Sequence, residues 1–442
     1  MVPGITWNGI CLDSRTDSLS QQNVRALIKY AIFSHRWGPG EPHFRQLLSD
    51  GDAVKAPREL HREGYQKLLL FCQKAKTEFG CAYAWSDTCC INKESSAELE
   101  EAIRSMYGWY KDAEVCIVHL AKSTSFDDFA TEPWFTRGWT LQELLAPTRM
   151  KFYGKDWKPI CPGEPTGNDK DSTILRQHIT HVTGIPDQDL RFFRPSCDRI
   201  SEKMTWMSKR KTTRVEDIAY ALIGIFSVTM PIAYGERTWA FHRLLEVIAQ
   251  RCWDPGFLAW TGTPSTYSAA LPGSPGCYIL DTPRADTLQL SGFDAVPAHV
   301  TGDPSFSVIK IGLHVRLLMV PIVGSEPVSP RDMYALVAGK RAFPIGFPPA
   351  PIPTNTFYLR FEKSNTTFVL GVVNYQPDGQ RHGRLRAGTH YLALLLRRMG
   401  RNTWRKEVTD NVVVLDSRTI SMKGRVETIV LAHQNADLQS EV

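Results

Sequence analysis

Four short apolar runs punctuate the first third of the chain: residues 30–34, 82–86, 115–119 and 150–153. Each is apolar almost throughout and bounded by polar or turn residues, the pattern of a strand buried on both faces of a parallel sheet. Between them, apolar positions recur at helical spacing. One stretch carries Tyr65, Leu68, Leu69, Cys72, Ala75 and Phe79; the next carries Leu99, Ile103, Met106, Tyr107 and Tyr110. The second stretch opens with Ser95-x-x-Glu98, a capping box. A third, short helix begins at Thr140-x-x-Glu143, another capping box, and is ended by Pro147. Strand–helix alternation of this kind predicts an α/β layer fold with right-handed crossovers.

Beyond Gly154 the pattern loosens through a stretch rich in Pro, Gly and Asp, residues 159–171. Helical periodicity returns over 200–206, 215–226 and 238–252, and these helices are expected to pack onto the α/β layer. From about residue 254 the texture changes again: Pro and Gly become frequent and alternating runs appear at 306–311, 367–373, 391–396 and 412–415. Short strands separated by turn residues predict a smaller β-rich, sandwich-like domain or an open barrel. Residues 343–353 carry too many prolines for a strand, and the tail after His433 is polar and expected to fray. The predicted division is therefore 1–253 and 254–442.

Composition narrows the class. The 442 residues are 43% hydrophobic and 22% charged, as in an ordinary globular protein. A formal net charge of +6 is small for this length and does not by itself argue for nucleic acid. No secretory signal is visible at Met1-Val2-Pro3-Gly4, and the longest apolar candidate, 218–232, is too short to span a membrane. Ten cysteines without CxxC spacing, Cys89-Cys90 among them, suggest reduced thiols in a cytosolic protein. Cys72, Cys81, Cys89 and Cys90 lack zinc-ligand spacing, so no metal is expected. Walker A, GxGxxG, HExxH and GxSxG patterns are absent.

In an open parallel sheet, ligands bind at the carboxyl ends of the strands. The first predicted strand runs into Ser34-His35-Arg36-Trp37-Gly38, and the second into Ser86-Asp87-Thr88-Cys89-Cys90-Ile91-Asn92. The short helix behind Arg137 and Trp139 brings Glu143 toward the same edge. Arg36 and the backbone from Gly38 suit a phosphate. Trp37 or Trp139 suits stacking against a base or a cationic ring. Glu143 suits stabilisation of a positive ribosyl centre, as carboxylates do in glycoside cleavage. A second reading stays open for Glu143, in which it only caps its own helix.

These blocks carry a family resemblance. The runs Tyr30-Ala31-Ile32-Phe33-Ser34-His35-Arg36-Trp37-Gly38, Ala84-Trp85-Ser86-Asp87-Thr88-Cys89-Cys90-Ile91-Asn92-Lys93 and Arg137-Gly138-Trp139-Thr140-Leu141-Gln142-Glu143-Leu144 resemble, in order, three motifs of fungal heterokaryon incompatibility (HET) domains. Thr213 to Tyr220 and Met230 to Glu236 are similar to the segment that follows that domain. The resemblance implies a cytosolic protein of non-self recognition and regulated cell death. HET domains are in turn distantly similar to TIR domains, which implies a flavodoxin-like or TIR-like sheet. Some TIR domains hydrolyse NAD through a glutamate in a Trp-Cys-x-x-Glu-Leu motif, which Trp139-Thr140-Leu141-Gln142-Glu143-Leu144 resembles with threonine for cysteine.

On that basis the expected activity is cleavage of the nicotinamide–ribose bond, with NAD as substrate and no bound cofactor. Glu143 is the expected catalytic carboxylate. Ser34, His35, Arg36, Trp37, Gly38, Asp87, Cys89, Asn92, Arg137 and Trp139 are the expected substrate contacts. Activity through a homo-oligomer is a further implication of the TIR likeness. One rival is a non-enzymatic scaffold that signals by self-association. Another is a cysteine hydrolase using Cys89 and His35. Trp85, Trp109 and Trp134 read as core, and Lys209-Arg210-Lys211 reads as a solvated basic surface.

Overall fold

A computed structural model describes residues 29–47 and 62–278, apart from 162, 164–165 and 252–253. In the C-terminal part it describes 306–323, 334–337, 342–344, 368–377, 382–385, 390–408, 413–416 and 422–433. The chain divides into two compact units, Met1–Ser196 with Lys209–Arg237, and Cys197–Ser208 with Thr238–Val442. Helices Ile200–Ser208 and Trp239–Arg251 thus group with the second unit and not with the α/β layer.

The first unit is built on four parallel strands: β1 (Tyr30–His35), β2 (Tyr83–Trp85), β3 (Val115–His119) and β4 (Met150–Tyr153). Their spatial order is β2-β1-β3-β4, with β1 and β3 at the centre. The register aligns Ala31 with Val115 and His35 with His119. Period-two alternation then sorts the side chains. Ala31, Phe33, Val115, Ile117 and Tyr153 face one side, where they pack against Leu68, Phe71, Cys72 and Ala75 of helix α1 (Glu63–Thr77). Phe33 and Phe71 stack at 4.4 Å. The α1 pattern predicted this face, although Phe79 lies beyond the helix end.

On the other side run α2 (Ser96–Asp112), α3 (Thr140–Leu145) and α4 (Asp217–Phe226), which pack on one another. Ser95 caps α2 as predicted, accepting the Glu98 amide at 3.3 Å. The Glu98 carboxylate takes the Asn92 amide at 2.9 Å, binding the loop after β2 to the helix start. α4 is apolar nearly all round and buried accordingly. Gly224 lets it approach α2: a Cβ there would lie 2.5 Å from the Cβ of Tyr107. Among the described residues no helix is long and apolar enough to cross a membrane.

In the second unit five strands close into a ring: β5 (Gly312–Val323), β6 (Phe368–Val372), β7 (His390–Arg398), β8 (Thr403–Lys406) and β9 (Met422–Ala432). Neighbours pair antiparallel except β8 with β9, which run parallel, and β9 returns to pair with β5 from Gly312 to Met319. This is a closed five-stranded barrel, which corrects the sandwich-like expectation. Alternation cannot distinguish the two, because each leaves one face of every strand apolar. Ala342–Pro344 forms a short strand at the edge of the proline-rich segment. The rest of that segment and the tail beyond His433 lie outside the described residues. Cys197 is disulfide-bonded, which corrects the expectation of reduced thiols at that position. Spacing in sequence does not report which cysteines meet in space.

Candidate functional site

Ser34 is the last residue of β1 directed toward α2 and α3, and its hydroxyl is fully buried. It donates to Glu143 Oε2 at 2.5 Å and accepts the indole N–H of Trp134 at 2.8 Å. Trp134, read from the sequence as core, is indeed buried, but it also orients this hydroxyl. Glu143 sits in the first turn of α3 and is 8% exposed. Burial raises its carboxyl to about 7; Asp87 pushes the same way, while Arg137, the hydrogen bond from Ser34 and the nearby Tyr110 hydroxyl oppose it.

The capping reading does not describe this helix. Its N-cap is Trp139, with no side-chain cap, and Thr140 turns its hydroxyl onto the carbonyls of Trp134 and Arg137, at 2.6 and 2.9 Å. Glu143 spends its carboxylate on β1, across the sheet-facing side. A six-residue helix that is buried on every side has its polar groups claimed by neighbouring segments before its own backbone can use them.

Around the carboxyl edge of the sheet lies a second set of groups. Trp37, 43% exposed, donates its indole N–H to Asp87 at 2.9 and 3.2 Å. The ammonium of Lys93 sits 3.5 Å over the Trp37 ring and the Arg137 guanidinium 6.0 Å from it. Arg137 also donates to the His35 carbonyl at 2.7 Å. Arg36 and Gly38 are exposed in the same loop. The structure therefore brings Ser34 and Glu143 together within, and Arg137, Trp37, Asp87 and Lys93 around the rim. Trp139 is half-buried at the start of α3, where its indole lies near Asp217.

Three expected contacts fall elsewhere. His35 follows Ser34 in a strand and so points to the opposite face, stacked on Phe33 at 4.1 Å. There burial keeps its imidazole below its ordinary pKa, and neither ring nitrogen has a hydrogen-bond partner. Glu41 Oε1 lies 3.6 Å from its Nε2. Burial alone would raise Glu41, but His35 and Lys67 outweigh it and hold the carboxyl at about 2. Glu41 also accepts the Gly38 amide at 3.0 Å, and Lys67 binds the Arg36 carbonyl at 3.0 Å. This knot shapes the loop that presents Trp37. Cys89 is packed in the apolar cluster around Phe71, and its interaction with Cys90, together with burial, raises its thiol far above the usual range. A thiol so placed is a poor nucleophile, and it faces the core. Asn92 works in its turn, where its side-chain oxygen accepts the Glu94 amide at 3.2 Å.

Sequence reading gave Lys93 no role at this site, and it placed a further residue of the site in solvent. Arg210 belongs to the supposedly solvated basic run, yet it is 5% exposed. It donates to the Arg137 carbonyl at 2.9 Å and to Thr140 Oγ1 at 2.8 Å. The adjoining Lys211 amide and carbonyl bond Thr136 and Gly138 at 2.7 and 2.9 Å, so the segment lies along the entrance to α3. A basic triplet gives no sign of which member turns inward. Among the described residues no group of His, Cys, Asp or Glu is placed to hold a metal ion.

Comparison with known proteins follows the same blocks. Residues 30–129 match the family "Heterokaryon incompatibility protein (HET)". Over 243 residues the chain is 42% identical to "Vegetative incompatibility protein HET-E-1" of Podospora anserina, a match covering 52% of this chain and 16% of that protein. No solved structure matches the chain. Strands β1 to β3, the Trp37 rim and the Asp87 loop all fall within the matched residues, and on that ground the chain is identified as one that carries a HET domain.

Proposed function

We propose that the first unit is a nucleotide-binding effector of heterokaryon incompatibility and cell death that hydrolyses NAD at the nicotinamide–ribose bond. The observation that carries this reading is Glu143: a carboxyl enclosed by Ser34, Trp134 and Tyr110 near the carboxyl end of a parallel sheet, held by burial at about 7. Such a group is partly ionised at neutral pH and lies in a water-poor setting, where its charge acts strongly on a nearby cation. As the N-glycosidic bond breaks, nicotinamide leaves with the bonding electrons and the ribosyl carbon becomes cationic. Glu143 stabilises that carbon until water adds to it, giving ADP-ribose and a proton. Arg36, Arg137 and Lys93 meet the pyrophosphate, Trp37 and Trp139 wall the base, and Asp87 fixes Trp37. His35 takes no part in the chemistry in this reading; it helps to shape the Trp37 loop.

The strand order β2-β1-β3-β4 agrees with the start of a flavodoxin-like arrangement and so supports the TIR-like fold behind this reading. One observation favours a second reading. Glu143 is nearly sealed and completes the bonding of Ser34 and Trp134, as a structural carboxyl would in a self-associating scaffold. The two are separated by incubating concentrated protein with NAD and following nicotinamide by chromatography, beside Glu143→Ala. Release lost in the variant supports the hydrolase. No release from wild type, even when artificially clustered, overturns it in favour of the scaffold.

A further inference from the structure

We infer that Arg210 is a positioning residue for Glu143: it fixes the entrance to α3 and places a positive charge behind the helix that carries the carboxylate. The inference rests on the reading of Glu143 as the reacting carboxylate, but its geometry stands apart from the chemistry. Arg210 reaches α3 from a segment outside the residues matched to the family, and it is buried where the sequence places a solvated cation. Its guanidinium holds two acceptors at once, the Arg137 carbonyl and Thr140 Oγ1. Both belong to the stretch that turns the chain from the Trp134 region into the first turn of α3. Thr140 Oγ1 in turn donates to Trp134, whose indole orients Ser34, so Arg210 closes a loop of bonds from helix entrance to carboxylate.

The electrostatics point the same way. Burial pulls Arg210 down to about 10, and the charge of Glu143 is what raises it. Such an attraction is mutual, so Arg210 favours the ionised form of Glu143. The other groups acting there are Arg137 before α3, Asp87 in the loop after β2, Tyr110 on α2, the Ser34 hydroxyl on β1 and Cys116 on β3. Arg137 also attracts the carboxylate, but it is half-buried at the rim and shares its guanidinium with the His35 carbonyl. Arg137 is the stronger of the two attractions, and Arg210 adds a second positive charge from inside the fold.

The test uses the full chain with Arg210→Gln, which keeps a donor for one acceptor and removes the charge, and Arg210→Lys, which keeps the charge. Glu143 is titrated by carbon-13 NMR of labelled glutamate, assigned with Glu143→Gln. The expected result is an upward move of about one pH unit in Arg210→Gln, a tenfold change in the ratio of ionised to protonated carboxyl, largely restored in Arg210→Lys. The acid limb of nicotinamide release should move with it. An unchanged Glu143 midpoint in a folded Arg210→Gln protein would overturn the inference. Should that variant not fold, Arg210→Lys decides: one guanidinium nitrogen, Nη1, holds both acceptors, and the shorter lysine side chain does not bring its ammonium to that point, so nicotinamide release at neutral pH should fall several-fold, and wild-type release would overturn it. If wild type itself releases no nicotinamide, the hydrolase reading fails alone, and the NMR titration still judges Arg210.

Discussion

Replacing Glu143 by Gln removes the ionisation of this buried carboxyl while keeping its shape. Burial holds the group at about 7 in the folded protein against an ordinary value of 4.5. Between those two pH values the unfolded chain has given up a proton that the folded protein keeps. A raised folded value means that the stabilisation is complete below pH 4.5 and is lost as pH rises through 7. Each unit of separation is worth about 1.4 kcal/mol, so the loss amounts to about 3 kcal/mol. Glu143→Gln has no such dependence. Any constant cost of the amide, such as an unsatisfied N–H toward Ser34, is the same at every pH and drops out of the comparison. The stability of wild type minus variant should therefore fall by about 3 kcal/mol from pH 4 to pH 8. For a unit of this size that is roughly 6–12 °C in the difference of thermal midpoints. Circular dichroism of both proteins, melted across that pH series, measures it. A difference that stays constant would refute the reasoning, since it would mean that Glu143 titrates as an exposed glutamate does.

Two further outcomes test other parts of the fold. Gly64→Ala places a Cβ 2.5 Å from the Glu41 amide and the Gly40 carbonyl, so the loop knotted by Glu41 and Lys67 must shift. A loss of about 1–3 kcal/mol in denaturant unfolding and a changed Trp37 fluorescence are expected, and wild-type values for both would contradict the close approach. In the barrel, burial depresses Lys406 to about 7 while its ammonium lies 3.3 Å from the Trp260 ring and donates to the Trp260 carbonyl. Its depressed value means the unfolded chain binds the extra proton, so wild type should gain on Lys406→Met as pH rises from about 7 to 10. The gain is on the order of 4 kcal/mol, read as melting midpoints, and no gain would refute the buried position.

Sequence determined the elements whose cause is local. The runs at 115–119 and 150–153 coincide with β3 and β4 residue for residue, because a strand buried on both faces reads as a compact, mostly apolar run between polar turns. Ser95 caps α2 through a bond spanning three residues, which a sequence states directly. The opposite faces of Ser34 and His35 were legible too, since neighbours in a strand must diverge; grouping them on one rim overlooked that rule. What only the tertiary structure decided depends on segments far apart in the chain. Thr140 and Glu143 have the spacing of a cap, yet burial hands their polar groups to Trp134, Arg137 and Ser34. Arg210 looks like any surface cation until the segment holding it is laid beside α3. The barrel closes only when β9 meets β5 across more than a hundred residues. Local bonds follow from the order of residues; a buried polar group takes whichever partner the fold delivers, because inside the protein there is no water to satisfy it instead.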